Sequence, residues 1–348
     1  MDFHTNTLYI TGSAHSLYPA DLLFGLLKDG KGQCCEIPKR YPFKGSWGQP
    51  LSTHILDNIP LGCPKELDIV WLSVIEKTFY SYNEELPIEL LANELSKGDY
   101  THLVIGMGYG GTITLWLWGN LKSIVVLNQW CKTIEIDMAD FLPLSPDIKL
   151  ETYCRQYIEA ESDVYNNLVA FNGLPPRDLF DNYMKQFIYR YQVLLEKWNG
   201  KNEDIKWEKY KEDEVAVEID YIEESLYDGT HDKLHDGGLM KYHEAGKPKK
   251  LKVQMHKGKN EWSAYFWFDE DKICEVFNRF YGAHPDTKTD FIIRIDAEQN
   301  KYELAMYRYG LKEPVIIKPD VYQLIVFKNK FECYRSENYD QPRGAWIW

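Results

Sequence analysis

The chain has 348 residues, of which 44% are hydrophobic and 27% charged, with a formal net charge of −13. This is the composition of a globular chain with ample core, two domains or one elaborated one; its acidity disfavours nonspecific binding to nucleic acid or an anionic membrane and favours a basic partner. No run reaches the length of a membrane span, and Cys34, Cys35, Cys63, Cys131, Cys154, Cys274 and Cys333 are scattered without a C-x-x-C, which excludes a disulfide scaffold and fits reduced thiols in a cytoplasm.

Residues 1–31 form a lead-in with a short helix predicted over residues 19–27. A basic start followed by an apolar core is missing there, so as written the chain carries no export signal. Residues 32–60 are rich in Gly and Pro and predict loop with short strands. PKELDIVWLS and EKTFYSYNEE then predict strands. IELLANELSKG predicts a helix, with Pro87 at its first turn and Gly98 past its end.

The next stretch, THLVIGMGYGGTITLWLWG, matches G-x-G-x-x-G at Gly106, Gly108 and Gly111. A dinucleotide site needs a helix to open after the glycines, because its N-terminus holds the pyrophosphate. Here Ile113, Leu115 and Leu117 alternate with Thr112, Thr114, Trp116 and Trp118, the period of a strand. The reading is a β-hairpin in which Gly106, Gly108, Gly110 and Gly111 serve the bend and close packing. SIVVLNQWCKTIEID follows as a further strand.

Residues 146–245 differ in composition. A helical stripe is predicted through Phe180, Tyr183, Phe187 and Tyr191. Residues 201–228 are heavily charged and read as a solvated face or loop, with an exposed strand possible where residues 215–221 alternate. Residues 248–333 then repeat the order β-β-α-β-β-β of the first unit, PKKLKVQM paralleling PKELDIVW, with Glu261 and Tyr265 set against Glu76 and Tyr80.

Candidates for chemistry are few. His231 and His235, with Asp232 and Asp236 beside them and His243-Glu244 nearby, have metal-like spacing, but Gly229 and Gly237-Gly238 flank them and favour a polar loop. Cys34-Cys35 next to Glu36 gains no cationic help and reads as inert. Trp116, Trp118, Trp262 and Trp267 could line a binding groove; core or cross-strand packing is the competing reading. No nucleophile elbow or Walker motif is present, and no catalytic set is selected.

PKELDIVWLSVIEKTFYSYNEELP, the hairpin ending in TLWLWG, LPPRDLFDNYMKQFIYRY, FDEDKI and YRSENYDQPRGAW, in that order, make the chain resemble the bacterial domain of unknown function 2931 over roughly residues 36–348. The resemblance implies no established enzymatic activity and no catalytic residues to carry over. It also implies kinship with envelope lipoproteins and with proteins encoded beside type VI secretion effectors, for which an immunity role is inferred. This chain departs from the lipoprotein pattern in lacking a lipobox.

The expected architecture is therefore α+β. Residues 1–31 are a lead-in, 32–145 a first β-rich unit, 146–245 a helical and acidic connecting segment, and 246–348 a second β-rich unit. The expected function is a noncatalytic protein-binding module, an immunity protein that neutralises a secreted toxin, with residues 201–244 as its contact surface and no cofactor. The alternatives are a metal-dependent or carboxylate-based hydrolase and an envelope-associated ligand-binding protein. The expected partner is a toxin or effector protein and not nucleic acid. The expected location is cytoplasmic.

Overall fold

The structure, a computed structural model, describes residues 8–39, 42–50, 62–98, 100–199, 207–209, 217–235, 240–282, 284, 286–308, 310, 313–328 and 332–335. The chain divides into two compact units, Met1–Tyr183 with Asp228–Thr230, and Met184–Tyr227 with His231–Trp348. The first contains β1 (Tyr9–Ser13), β2 (Ala20–Asp29), β3 (Cys34–Glu36), β4 (Pro64–Ser73), β5 (Thr78–Glu85), α1 (Ile88–Leu95), β6 (Tyr100–Met107), β7 (Thr112–Gly119), β8 (Ser123–Trp130), β9 (Lys132–Ile134), α2 (Met138–Phe141), α3 (Leu150–Ala160) and α4 (Ser162–Ala170), with α5 (Leu179–Met184) at its end. The second contains β10 (Phe187–Trp198), β11 (Trp207–Lys209), β12 (Glu218–Leu226), β13 (His231–Leu234), β14 (His243–Ala245), β15 (Pro248–Lys257), β16 (Asn260–Trp267), α6 (Glu270–Tyr281), β17 (Thr289–Asp296), β18 (Lys301–Tyr307), β19 (Val315–Ile317), β20 (Val321–Lys328) and β21 (Glu332–Arg335). Among the described residues no helix is long and apolar enough to cross a membrane.

The first unit is a pair of sheets, ordered β1-β6-β7-β8 and β3-β2-β4-β5-β9. Leu67, Ile69 and Trp71 of β4 meet Leu103, Ile105 and Met107 of β6 in one core, to which α1 adds Leu91. The intervening residues Val70 and Leu72 face the other way and pack with Phe141 of α2 and Cys154 of α3. The unbroken run IVWL in β4 is thus the signature of a strand buried on both faces.

The second unit repeats the plan. Its sheets run β11-β10-β17-β18-β19, with β14 added on β10, and β13-β12-β15-β16-β20-β21. β10 pairs with β17 in parallel as β1 does with β6. The irregularities also correspond. β2 shifts register against β4 between Leu22 and Phe24 and between Lys28 and Asp29; β12 shifts against β15 between Ile219 and Tyr221 and between Ser225 and Leu226. The register does not equate Tyr80 with Tyr265, however. Tyr80 stands opposite Trp71, and Trp262 opposite Met255, so Trp262 holds the matching place.

Three expectations are corrected. The fold is mostly β, 50% strand and 19% helix, rather than α+β with a helical insertion. Residues 20–29 form a strand, not a helix, because the bulge at Leu23 interrupts the alternation that would have marked one. The segment 146–245 is helical only in its first part; from Phe187 it is the strand β10, with Phe187, Tyr189, Tyr191 and Val193 buried in alternation. An aromatic and β-branched run of period two suits a sheet, and Tyr189 breaks the helical stripe.

The glycine stretch shows how closely the backbone is packed. Gly111 sits at φ +85°, and a Cβ there would lie 2.3 Å from the Tyr80 ring. Gly30, by contrast, has open space around it. Gly111→Ala is expected to destabilise the protein by about 2–4 kcal/mol, from backbone strain plus overpacking, and Gly30→Ala by under about 0.5 kcal/mol, both read from urea denaturation midpoints.

Candidate functional site

The β6–β7 hairpin turns through a single 3-10 turn at Tyr109–Gly111, and β7 starts at the next residue. The turn holds an anion, but it is the chain's own. Glu76 Oε2 accepts from the Gly110 N–H at 2.8 Å and from the Ser73 hydroxyl at 2.7 Å, and Oε1 accepts from the Tyr80 hydroxyl at 3.0 Å. Burial, reinforced by the Glu76 charge, pushes the Tyr80 phenol above its ordinary range and keeps it a donor. Tyr109 then ties the turn to the chain after α4, donating to the Pro175 carbonyl at 2.6 Å. Glycines that resemble a phosphate loop therefore fasten one hairpin to another.

Two of the four tryptophans are core side chains. Trp116 is fully buried, stands edge-on to Trp47 at 4.9 Å, and donates its indole N–H to the Asp228 carbonyl at 3.1 Å. Trp262 is also buried. A groove-lining role for these two is corrected, since both side chains fill core positions. Trp118 and Trp267 are half-buried on their strands. Gly106 belongs to the same packing, because a Cβ there would lie 2.4 Å from the Trp116 ring; Gly108 donates its N–H to the Thr112 carbonyl at 2.7 Å.

His231 lies in β13 opposite Ser225, and His235 follows the strand with its ring 5.7 Å from that of Tyr221. The segment is strand up to Leu234 rather than loop, and Asp236 lies outside the described residues. Among the described residues no group of three or more His, Cys, Asp or Glu is placed to hold a metal ion.

The structure brings together two acidic clusters that reading the sequence missed. Glu224 is 1% exposed, accepts from the Tyr191 hydroxyl at 2.5 Å, and lies 3.5 Å from His243 Nε2, an ion-pair distance. His243 Nδ1 is 3.2 Å from the Lys241 carbonyl, so that nitrogen carries a proton and Nε2 meets Glu224 favourably only when it too is protonated. Burial acts to lower the His243 pKa; Glu224, the Lys241 carbonyl and Asp232 outweigh it and raise it. The signal was present, since Ile222, Glu224 and Leu226 alternate inward, but it sat inside a charged run that read as a solvated face. In the first unit, Asp21 is buried, accepts a hydrogen bond from Tyr153, and has its carboxyl pushed up to about 6 by desolvation, against the opposing pull of Tyr153 and Lys39. In both clusters a tyrosine of the protein holds the carboxylate.

Of the exposed apolar side chains, several gather on the helices outside the first unit's core. Cys154 and Val164 of α3 and α4 point inward, while Tyr165, Val169 and Leu174 are 50%, 60% and 53% exposed and Phe171 joins them. Ile158, Tyr165, Leu168 and Val169 line a shallow groove there. The two helices and the residue joining them carry Glu151, Glu159, Glu161 and Asp163, of which Glu159 pairs with Arg155 and Glu161 with Lys44. Contiguous exposed apolar side chains are the ordinary makeup of a recognition surface.

No family model, curated protein or solved structure matches the chain.

Glu76→Ala removes the acceptor of three donors. It is expected to cost about 1–3 kcal/mol in chemical denaturation and to free the Gly110 amide to hydrogen exchange. His243 supplies a pH dependence. Its folded pKa lies above the ordinary 6.5, so its stabilising contribution is complete below that value and is lost as pH rises through the folded pKa. Denaturation from about pH 5.5 to about pH 8.5 should show the wild type losing its advantage over His243→Asn as pH rises; a constant difference would remove the ion pair with Glu224 from the account.

Proposed function

We propose that the chain is a noncatalytic protein-binding module, an immunity protein that neutralises a secreted bacterial toxin, and that it belongs with the domain of unknown function 2931 that its motifs resemble. The observation that carries the reading is the exposed apolar face of α4 and the turn after it, on a chain of net charge −13. A basic protein fits this surface. Its cations would be steered by the chain's net negative charge, and its apolar anchors would be desolvated against Tyr165, Val169 and Leu174.

The contact surface differs from the one that composition suggested. Of residues 201–244, residues 201–206, 210–216 and 236–239 lie outside the described residues, while β12 sits between β13 and β15 inside a sheet. Deleting that segment would dismantle the sheet and test nothing about binding. Point changes on the helical face are the better probe.

The test is isothermal titration against the product of the neighbouring gene. Val169→Asp and Leu174→Asp are each expected to weaken binding at least about tenfold, or about 1.4 kcal/mol, with an unchanged melting temperature because both side chains are exposed. Leu121→Asp, at another exposed leucine of the same unit, should leave affinity unaltered. Full affinity in the Val169/Leu174 double variant would remove this surface from the interface, and no binding by the wild type would remove the immunity reading.

A further inference from the structure

The two units carry the same sheet in the same register and treat its outer face differently. Val70 and Gln254 hold equivalent places. Each faces the residue after the bulge on one side, Phe24 or Tyr221, and a serine on the other, Ser81 or Ser263. In the first unit Val70, Leu72 and Phe79 make this face apolar, and α2 and α3 cover it. In the second the matching places hold Gln254 and His256, and nearer the start of the strand, where the first unit has Glu66 and Asp68, the face carries Lys250 and Lys252 opposite Trp267 and Tyr265, with Glu223 and then Lys233 in the next two strands.

The side chains here form an ordered patch. Tyr265 and Trp267 are stacked, with centroids 5.5 Å apart and planes 18° from parallel. The Lys250 ammonium lies 5.4 Å from the first ring and 5.6 Å from the second. Lys252 lies 5.1 Å from the Tyr221 ring and donates to its hydroxyl at 2.9 Å, and Lys233 lies 3.8 Å from the same ring. Facing these three cations is Glu223, 4.0 Å from Lys252 and itself 44% exposed. Three ammonium groups and three rings are gathered beside one carboxylate on a chain whose net charge is −13. The far end of the same face is acidic, where His256 is flanked by Asp220 at 2.7 Å and Glu218 at 3.6 Å, so the patch has a polarity along the strands. Burial, and behind it the neighbouring Lys252, holds the Lys250 pKa below the ordinary lysine value although Glu223 pulls it up. Burial acts to lower the Lys252 pKa, but its hydrogen bond to Tyr221, with Tyr265 and Glu223, outweighs it and raises it, so Lys250 is the cation that an added anion would stabilise most.

We propose that this face of the second unit binds an acidic oligosaccharide, with uronate carboxylates on Lys250, Lys252 and Lys233 and the C–H faces of the sugar rings against Tyr221, Tyr265 and Trp267. A uronate chain presents one charge per ring beside an apolar ring face, which matches cations interleaved with aromatics. A nucleic acid fits less well, because its dense phosphates would meet the repulsion of the chain's acidic surplus and the contact would be strongly salt-weakened. This site is independent of the protein-binding reading above, and either can fail without the other.

The experiment titrates hexagalacturonate into the full-length protein by calorimetry. Saturable binding is expected, weakened at least about tenfold between about 50 mM and about 300 mM salt. The Lys250→Gln/Lys252→Gln double variant should lose at least about tenfold in affinity, and the Lys250→Arg/Lys252→Arg variant should keep it within about threefold. A second readout needs no variant: saturating hexagalacturonate should protect Lys250 and Lys252 from amine acetylation, followed by mass spectrometry. Absence of saturable binding, absence of protection, or glutamine variants that bind as well as wild type would overturn the proposal. Preferential binding of an oligothymidylate or a polyglutamate peptide over hexagalacturonate would also overturn it.

Discussion

The constraint on which the rest depends is that β4 is apolar on both faces. Leu67, Ile69 and Trp71 on one side and Val70 and Leu72 on the other cannot all be removed from water by a single packing partner. Each such side chain contributes roughly 1.5–3 kcal/mol when fully buried, against about 1–2 kcal/mol per residue for ordering the backbone that covers it. The second sheet satisfies the inner face. The outer face holds α2 and α3 in place, and with them α4, whose remaining side meets no strand of the first unit among the described residues. The exposed Tyr165, Val169 and Leu174 are therefore a consequence of a sheet that needs two covers.

In the second unit the same position in the fold is filled by PKKLKVQMHK, which alternates and has one apolar face only. That face meets the β10-β17-β18 sheet, where Phe266 of β16 lies 5.5 Å from the ring of Tyr302 in β18 and Glu224 reaches Tyr191. No cover is demanded on the other side, so lysines and aromatic rings can occupy it without loss to the core. Both units close through a parallel strand pair, β1 on β6 and β10 on β17, which requires a long crossover and makes the core contacts non-local.

What could be read in the residues was what obeys local periodicity. The hairpin at the glycines was legible because Ile113, Leu115 and Leu117 alternate, the helix after Pro87 because a proline marks its start, and the helix from Glu270 because of its place in the repeated order of elements. What misled was one bulged residue at Leu23, which turned an alternating strand into an apparent helix, and Phe187 and Tyr191, which continue by chance the helical spacing of Phe180 and Tyr183 in α5 although they lie in β10 on either side of Tyr189. Glu224 was hidden by its charged neighbours, since nothing local distinguishes a carboxylate facing a buried tyrosine from one facing water. The places of Trp116 and Glu76 depend on partners in distant parts of the chain, Asp228 in the one case and Gly110 in the other, and local pattern does not report such pairs.

The divergence between the copies also bears on where recognition belongs. The bulges opposite β4 and β15, the parallel strand pair and the helix after the second strand of each hairpin recur in both, and they are accounted for by closing two sheets over one core. The outer faces do not recur. One is apolar and covered around Val70 and Leu72 and acidic at Glu66 and Asp68; the other is cationic and aromatic at Lys250 and Lys252. Folding alone asks for no row of lysines over stacked rings, because small polar residues would complete that face without crowding like charges. At the matching places the first unit holds Glu66, paired with Lys28, and Asp68, so the copies differ there in the sign of their charge, which is the difference that an anion bound to the second unit alone requires.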